Sequence, residues 1–145
     1  MDEAHDPKER HGKCLCGAVK IVAKAESHEV GACHCAMCRR WGSGPFMEID
    51  CGTDVLIEGE EHVTRFSSSP WAERAFCMKC GTNLFYRLKE ANQHMVAIGL
   101  FDDNDGLTFK TEVFIDEKPD FYSFAEDTKQ LTGAELFALV QEGSA

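Results

Sequence analysis

The chain has 145 residues, a formal net charge of −10 and eight cysteines. This length is enough for one ordinary domain with its own hydrophobic core, so crosslinks are not needed to stabilise it. The acidic charge disfavours nucleic acid as a partner, because phosphates would be repelled and no basic segment offsets the repulsion.

The predicted elements are mostly strands. Residues 1–11 read as a disordered lead-in, and residues 12–143 as a single domain. From Gly17 onward, short runs rich in β-branched and aromatic residues are separated by turn signals, at 59–61, 67–70 and 102–106 among others. The predicted strands lie at residues 18–24, 45–49, 55–57, 62–66, 71–76, 83–88, 94–100 and 109–115. Many short strands with regular breaks predict a mainly β, antiparallel fold.

One helix is predicted, at the C-terminal end of the domain. Thr132 is a candidate N-cap and Glu135 follows three residues later, which is the pattern of a capping box. Leu136, Leu139 and Val140 then form one apolar stripe at helical spacing. Gly143 is a stop signal after that stripe.

The acidic turn at residues 102–105 has two interpretations. Its carboxylates are the ligand type that calcium prefers, but the spaced ligand pattern of a calcium loop is missing. A solvated turn is therefore the favoured interpretation.

The expected cell compartment indicates what the many cysteines do. The N-terminal residues are polar and lack the apolar stretch of a secretory signal. The longest apolar run, residues 95–101, is too short to cross a bilayer. We therefore expect a cytoplasmic protein that does not bind membranes. Disulfides are rare in that compartment, so dense cysteines indicate metal ligands or catalytic groups. The sequence does not indicate an oligomeric state.

Seven of the eight cysteines fall into three clusters, and the outer two predict a structural zinc site. The third cluster is a C-x-x-C-G turn, in which two intervening residues let both sulfurs face one ion. A tetrahedral zinc needs two more ligands, and the first cluster is the natural donor. The predicted four-thiolate site consists of Cys14, Cys16, Cys77 and Cys80.

The middle cluster predicts a different kind of zinc site. It consists of Cys33, Cys35 and Cys38, and three protein ligands leave one tetrahedral position open, as in catalytic zinc sites. Three thiolates give a divalent ion a net charge of −1, so it would activate carbonyls and water poorly. Such a centre is better suited to holding a substrate thiolate, which favours thiol chemistry over hydrolysis.

The alternative for the middle cluster is a second structural zinc. It would need a fourth protein ligand, and His34, Cys51 and His94 are the candidates. His34 lies between two ligands, so we expect its side chain to point away from the metal. Cys51 stands alone in the sequence and is better interpreted as a small buried hydrophobic residue.

Two adjacent arginines follow the middle cluster directly. Arg39 and Arg40 could offset the negative zinc–thiolate charge and receive a substrate carboxylate. Ordinary surface ion pairing with the many acidic residues is an equally good interpretation. We expect only one of the two to face the site.

These clusters resemble the motifs of a known family. They lie in the runs Gly12-Lys13-Cys14-Leu15-Cys16-Gly17, Cys33-His34-Cys35-Ala36-Met37-Cys38-Arg39-Arg40 and Phe76-Cys77-Met78-Lys79-Cys80-Gly81-Thr82-Asn83-Leu84-Phe85-Tyr86. The order and spacing are similar to the glutathione-dependent formaldehyde-activating enzyme family, which shares its domain with centromere protein V. Residues 114–120 are similar to the tail block of bacterial members. The resemblance covers residues 11–141.

The resemblance implies a fold, a metal content and an activity. The fold is of the Mss4-like or β-tent kind, a zinc-stapled antiparallel β fold. The metals are two zinc ions, one structural at the outer four cysteines and one of catalytic type at the middle three. The activity is a carbon–sulfur lyase reaction on small-molecule thiols and aldehydes, such as S-hydroxymethylglutathione formation from glutathione and formaldehyde.

Within that scheme Cys33, Cys35, Cys38 and Arg39 are the candidate catalytic residues, and Arg39 and Arg40 the candidate glutathione-binding residues. None of the shared motifs recognises glutathione itself, so the identities of the thiol and the aldehyde are not predicted. Two other functions compete with the enzyme. One is a binding module without chemistry, whose fourth zinc position is closed by a protein ligand. The other is a thiol or zinc sensor that loses the middle zinc on oxidation.

Overall fold

The computed structural model describes residues 8–25 and 27–143, with the side chains of residues 140–143 left out. The strands are β1 (Lys8–Lys13), β2 (Lys20–Ala25), β3 (Glu29–Cys33), β4 (Phe46–Gly52), β5 (Val55–Glu58), β6 (Val63–Ser69), β7 (Ala72–Cys77), β8 (Asn83–Leu88), β9 (Gln93–Ala97), β10 (Thr108–Val113) and β11 (Lys129–Leu131). The helices are α1 (Ala36–Gly42) and α2 (Gly133–Gly143). The mainly β fold is confirmed.

The chain divides into two compact units. The first contains the chain up to residue 28 together with residues 48–107, and the second contains residues 29–47 and the chain from residue 108 onward. Each unit is therefore built from two separate stretches of sequence. The single domain predicted over residues 12–143 stays a prediction, which a single cooperative unfolding transition would support.

The first unit holds two antiparallel arrangements of strands. β1, β2 and β5 form one sheet in the order β1-β2-β5. β4, β9, β8, β7 and β6 pair in that order, each antiparallel to the next. Alternate residues of β2 and β9 point inward, as expected for strands with one face on a core. The core of this unit includes Ile21, Ile49, Leu84, Phe85 and Val96, all fully buried.

The predicted lead-in is wrong for residues 8–11, which belong to β1; residues 1–7 lie outside the described residues. Strand β1 carries a charged residue on its inner face, so its sequence lacks the apolar alternation that predicts a strand. Arg10 is only 2% exposed. Its guanidinium donates hydrogen bonds to the backbone oxygens of Asp103 and Asp105, at 3.0 and 3.1 Å. These bonds give partners to both terminal nitrogens of this buried charge, while its Nε has no hydrogen-bond partner among the described residues.

The contacts of Arg10 also bear on whether the acidic turn at residues 102–105 binds calcium. A cation already occupies two of the carbonyl oxygens that a calcium loop would offer, and Lys8 pairs with the Asp103 carboxylate at 3.0 Å. Protein cations thus offset part of the negative charge of this turn, which supports the interpretation as a solvated turn.

The described strand pairs are mainly antiparallel, as predicted, but the second unit also contains parallel pairs. β10 pairs in parallel with both β3 and β11. Parallel neighbours require a crossover connection, and the stretch between β10 and β11 provides one over residues 114–128. β3 and β10 are far apart in the chain, so no local pattern in the sequence could reveal their direction.

The predicted C-terminal helix is present, but a second helix, α1, was not predicted. Its N-cap is Cys35, whose Sγ accepts a hydrogen bond from the Cys38 amide at 3.3 Å. Its C-cap is Ser43, in the left-handed conformation, whose amide donates to the Arg39 oxygen at 2.7 Å. The sequence did not predict this helix, because a cysteine N-cap is not among the usual helix-start signals and residues 33–38 were interpreted only as metal ligands.

The C-terminal helix α2 begins as predicted. The Thr132 amide donates to the Glu135 carboxylate at 2.8 Å, and the Glu135 amide donates to the Thr132 hydroxyl at 3.1 Å, so the capping box is confirmed. The apolar stripe is confirmed only in part. Leu136 is half-buried, but Leu139 is 44% exposed. The Val140 side chain lies outside the described residues.

A buried carboxylate in the first unit gives a pH-dependent prediction. Glu73 on β7 accepts hydrogen bonds from Arg87 at 2.9 Å and from Arg65 at 2.7 Å. The bond from Arg87, with that from Arg65, outweighs the effect of burial and lowers the pKa of Glu73. We expect Glu73→Gln to lower the free energy of unfolding by about 2 kcal/mol at pH 7, because hydrogen bonds to a charged group are lost.

The sign of the pH dependence follows from the lowered pKa. The carboxylate contributes its full stabilisation above its unfolded pKa of about 4.3, and this is lost as the pH falls through the folded pKa. Denaturant unfolding should therefore show a constant gap between wild type and Glu73→Gln above about pH 5, narrowing at lower pH. The exposed Glu90→Gln is the control. A gap that widens in acid would contradict the assignment.

Candidate metal centres

The outer cysteines form a four-sulfur group within the first unit. The Sγ atoms of Cys14, Cys16, Cys77 and Cys80 all lie within 4.8 Å of one another. The Cys14–Cys16 and Cys16–Cys77 sulfur separations are 3.7 and 3.9 Å. Zinc–sulfur bonds of about 2.3 Å at tetrahedral angles put neighbouring sulfurs about 3.8 Å apart. These two separations match a tetrahedral zinc site, and the remaining pairs lie within the 4.8 Å limit.

Two tight turns bring these sulfurs together. Gly17 and Gly81, which end the two cysteine turns, have φ values of 80° and 79°, a region that glycine enters without strain. The Gly17 amide donates to the Cys14 oxygen at 3.1 Å, and the Gly81 amide to the Cys77 oxygen at 2.8 Å. The C-x-x-C-G turn therefore brings its two sulfurs together, as predicted. The shorter C-x-C-G turn places its two sulfurs in the same group.

Backbone and hydroxyl donors favour the thiolate at two cysteines of this group, Cys80 and Cys14. Thr82 lies beside Cys80, with Oγ1 3.1 Å from its sulfur, and the hydrogen bonds from Thr82 lower the pKa of Cys80 to about 5. Burial raises the pKa of Cys14, but the Val19 amide, 3.3 Å from its sulfur, and the neighbouring thiols lower it overall. The Thr82 hydroxyl also accepts from the Leu15 amide at 3.0 Å, which ties the two turns together.

The middle cysteines form a three-sulfur group within the second unit. Cys33 ends β3, Cys35 caps α1 and Cys38 lies in its first turns, so the strand-to-helix junction gathers all three sulfurs within 4.8 Å. Hydrogen bonding to Cys35 and Cys38, together with burial, raises the pKa of Cys33 strongly. Three thiols this close cannot all ionise unless a cation balances their charge. A divalent metal ion such as zinc would supply that balancing charge.

None of the three candidates for a fourth protein ligand joins the middle group. Both ring nitrogens of His34 are engaged elsewhere, with Tyr122 and Glu112, each at 2.8 Å. His94 lies in the first unit, with Nδ1 2.9 Å from the Gly52 oxygen. Cys51 is buried there, and burial raises the pKa of its thiol to about 12. Among residues 8–25 and 27–143, the group therefore contains three ligands.

The two arginines differ in their contacts with the protein. The Arg39 Nε atom donates to the His34 oxygen at 3.0 Å, so its side chain folds back along the ligand loop. No other described residue bonds its terminal nitrogens. Arg40 is exposed, and no hydrogen bond or ion pair joins it to the part of the chain that the structure describes. Only Arg39 is thus placed beside the ligand loop.

Several residues that hold the middle group were missed. Glu112 on β10 binds His34, and Thr128 donates to its second oxygen at 2.6 Å. Glu117 accepts from the Ala36 amide at 2.9 Å, at the start of α1. These contacts span 78 and 81 residues of sequence, so no local pattern could find them. Glu117 does lie within residues 114–120, the segment that is similar to the tail block of bacterial family members. This resemblance is the one feature of the sequence that points to Glu117.

Neither helix of the described residues has both the length and the apolar character that crossing a membrane requires.

Comparisons with known proteins agree with this geometry. The profile of the family described as glutathione-dependent formaldehyde-activating enzyme matches residues 9–117. A Schizosaccharomyces pombe protein, named an uncharacterized lyase, is 38% identical over 129 residues, which are 88% of this chain and 94% of that protein. A Rhodobacter sphaeroides crystal structure has a TM-score of 0.56 at 23% identity, over 63% of this chain and 87% of that chain. At this identity the structural likeness shows the fold alone.

Proposed function

Since the chain belongs to the glutathione-dependent formaldehyde-activating enzyme family, we propose that it is a zinc-dependent carbon–sulfur lyase that forms or breaks thiol–aldehyde adducts. The lyase name of the yeast relative supports the reaction class. The leading substrate pair is glutathione and formaldehyde, which combine to S-hydroxymethylglutathione. The partners are thus small molecules, and neither nucleic acid nor membrane is part of the proposal.

The unequal number of thiols in the two groups carries this proposal. Four sulfurs occupy all four coordination positions of a tetrahedral zinc, whereas three leave one position for a ligand from outside the chain. When bound at Cys33, Cys35 and Cys38, zinc would supply a position that holds a substrate sulfur as its thiolate. The non-catalytic binding module requires a fourth protein ligand, and the described residues offer none within the group.

The chain's own residues would bind and orient the thiol. The β3–α1 junction fixes the three cysteines, and Glu117 holds the first amide of the helix. Arg39 is anchored through Nε, and its terminal nitrogens are free to pair with a substrate carboxylate. A cytoplasmic location belongs to the same proposal, because all eight cysteines are free and thiols persist in reducing compartments.

Turnover tests the proposed function. Zinc-loaded protein is mixed with glutathione and formaldehyde, and formation of the adduct is followed against the uncatalysed rate. Acceleration that disappears with Cys35→Ser supports the proposal. If the protein contains two zinc ions and gives no acceleration with this pair, glutathione and formaldehyde are not its substrates. A lack of acceleration across other thiols and small aldehydes would reject the lyase assignment.

Arg39 gives a specific prediction for thiol binding. We expect Arg39→Ala to raise the KM for glutathione about 10- to 100-fold, because a charge-assisted hydrogen bond to a carboxylate is lost. Arg40→Ala is the matched control and should change this KM less than about 2-fold, since Arg40 is exposed. Kinetics with 2-mercaptoethanol, which has no carboxylate, provide the second control. An equal effect of Arg39→Ala on both thiols would indicate that Arg39 acts only through the ligand loop.

A further inference from the structure

The ligand loop of the middle group, residues 33–38, is held by a side chain from a distant part of the sequence. Glu117 Oε1 accepts a hydrogen bond from the Ala36 amide at 2.9 Å, across 81 positions of the chain. Ala36 directly follows Cys35 and lies two residues before Cys38, and both cysteines are proposed ligands. It is also the first residue of α1, where amides have no partner within the helix. Glu117 therefore contacts the backbone between two of the three sulfurs.

The hydrogen bonds inside the loop and α1 do not fix their position in the second unit. The Cys38 amide donates to the Cys35 Sγ atom at 3.3 Å, and the Arg39 amide donates to the Cys35 oxygen at 2.9 Å. Both bonds join residues of one short segment, which they hold together as a body. The Glu117 side chain reaches this segment from a different part of the chain, so its hydrogen bond holds the segment against the rest of the unit.

A strained residue directs the chain toward this contact. β10 ends at Val113, and Phe114 follows with φ 55° and ψ 43°, a left-handed conformation that residues other than glycine rarely adopt. The Glu117 amide then donates to the Phe114 oxygen at 2.9 Å, which closes the single turn Ile115–Glu117. This turn leads the chain back toward the start of α1. Strain of this kind persists only where the surrounding structure enforces it.

The start of α2 enforces the conformation of this turn. The Asp116 carboxylate accepts a hydrogen bond from the Gly133 amide at 3.0 Å. The Phe114 ring packs against the same glycine so closely that a Cβ atom there would lie 2.6 Å from it. The ring also contacts the Phe137 ring, with centroids 5.9 Å apart. The turn that carries Glu117 is thus anchored to α2, and it provides a fixed support for the ligand loop.

We propose that Glu117 is a positioning residue of the middle metal centre, which holds the backbone of Cys35 and Cys38 in the arrangement that a bound ion requires. This inference rests on the proposed function, because it concerns a zinc ion bound by the three-cysteine group. Ligands that are already held in place lose less conformational freedom when the ion binds, so the ion binds more tightly. Supporting residues of this kind change metal affinity about 10- to 100-fold.

Competition for zinc tests this inference without any substrate. A chelator of known affinity is titrated into the zinc-loaded protein, and the zinc that stays bound is measured. Glu117→Ala should weaken zinc binding at the middle group about 10- to 100-fold and leave the outer group unchanged. Glu117→Gln keeps an oxygen that accepts from the Ala36 amide and should stay within about 3-fold of wild type. Asp120→Ala removes an exposed acidic residue of the same segment and is the control, for which no change is expected.

Two further variants complete the design. In a Cys35→Ser background only the outer zinc is expected, so adding Glu117→Ala there should leave the titration unchanged. Circular dichroism reports whether Glu117→Ala is folded. If it is not, Glu117→Asp takes its place, because it keeps the negative charge but shortens the side chain by one methylene group. The Glu117→Asp variant should weaken zinc binding at the middle group about 10-fold.

The outcomes separate this inference from the proposed function. Wild-type zinc affinity at the middle group of a Glu117→Ala protein overturns the inference. Equal losses at both groups, or a loss in Glu117→Gln as large as in Glu117→Ala, overturn it as well. If wild type binds no zinc at the middle group, the inference and the proposed function both fail. If Glu117→Ala weakens the middle zinc alone but wild type accelerates no thiol–aldehyde reaction, the role of Glu117 is supported and only the proposed function fails.

Discussion

Cys77→Ser is expected to prevent the first unit from folding. Cys77 is fully buried and supplies one of the four sulfurs of the outer group. A structural zinc contributes on the order of 10 kcal/mol to folding, which matches the entire net stability of an ordinary domain. Replacing one thiolate with a hydroxyl removes much of that contribution. Circular dichroism should show loss of β structure, and the purified variant should lack the outer zinc.

Cys51→Ala is the matched control for this prediction. Cys51 is also buried in the first unit, but it belongs to neither sulfur group. Its replacement removes a small buried side chain and should cost about 1 kcal/mol, with both zinc ions retained. A folded Cys77→Ser protein with wild-type stability would show that the outer group does not stabilise the fold through a metal.

Cys35→Ser is expected to abolish activity while leaving the protein folded. The hydroxyl can still cap α1 in place of the Cys35 sulfur, which accepts from the Cys38 amide at 3.3 Å. The second unit also keeps its parallel strand pairs, the His34–Glu112 contact and the bond from the Ala36 amide to Glu117. We therefore expect a loss of unfolding free energy below about 2 kcal/mol, a zinc content reduced from two to one, and turnover at the uncatalysed rate.

The comparison of Cys35→Ser with Cys77→Ser decides between two kinds of metal site. Zinc analysis, circular dichroism and turnover are measured on both variants under the same conditions. If Cys35→Ser loses its fold as Cys77→Ser is expected to, the middle metal is structural and the lyase proposal loses its site. Retained turnover in a folded Cys35→Ser protein would place the chemistry elsewhere.

The metal ligands could be predicted from the sequence because their geometry is local. A C-x-x-C-G turn defines two sulfur positions within five residues, and the structure groups Cys77 and Cys80 with Cys14 and Cys16 as expected. The capping box of α2 was predictable for the same reason, since Thr132 and Glu135 are three residues apart. Most strands were also located to within a few residues, because alternation is a local pattern.

Long-range contacts were not predictable. β3 and β11 were missed and the parallel pairing of β10 was not predicted, because pairing depends on residues distant in the chain. β1 was missed because its inward residue is Arg10, whose partners at 103 and 105 are more than 90 residues away. His34 was expected to point away from the metal, but its partners Glu112 and Tyr122 gave no signal in the sequence.

The most direct test of this account is X-ray absorption at the zinc edge, on the holoprotein before and after adding glutathione. One four-thiolate and one three-thiolate ion predict an average of about three and a half sulfurs per zinc. Saturating glutathione should raise the average to four, as the substrate sulfur enters the open position. Four sulfurs per zinc before the thiol is added, or an average that glutathione does not change, would contradict it.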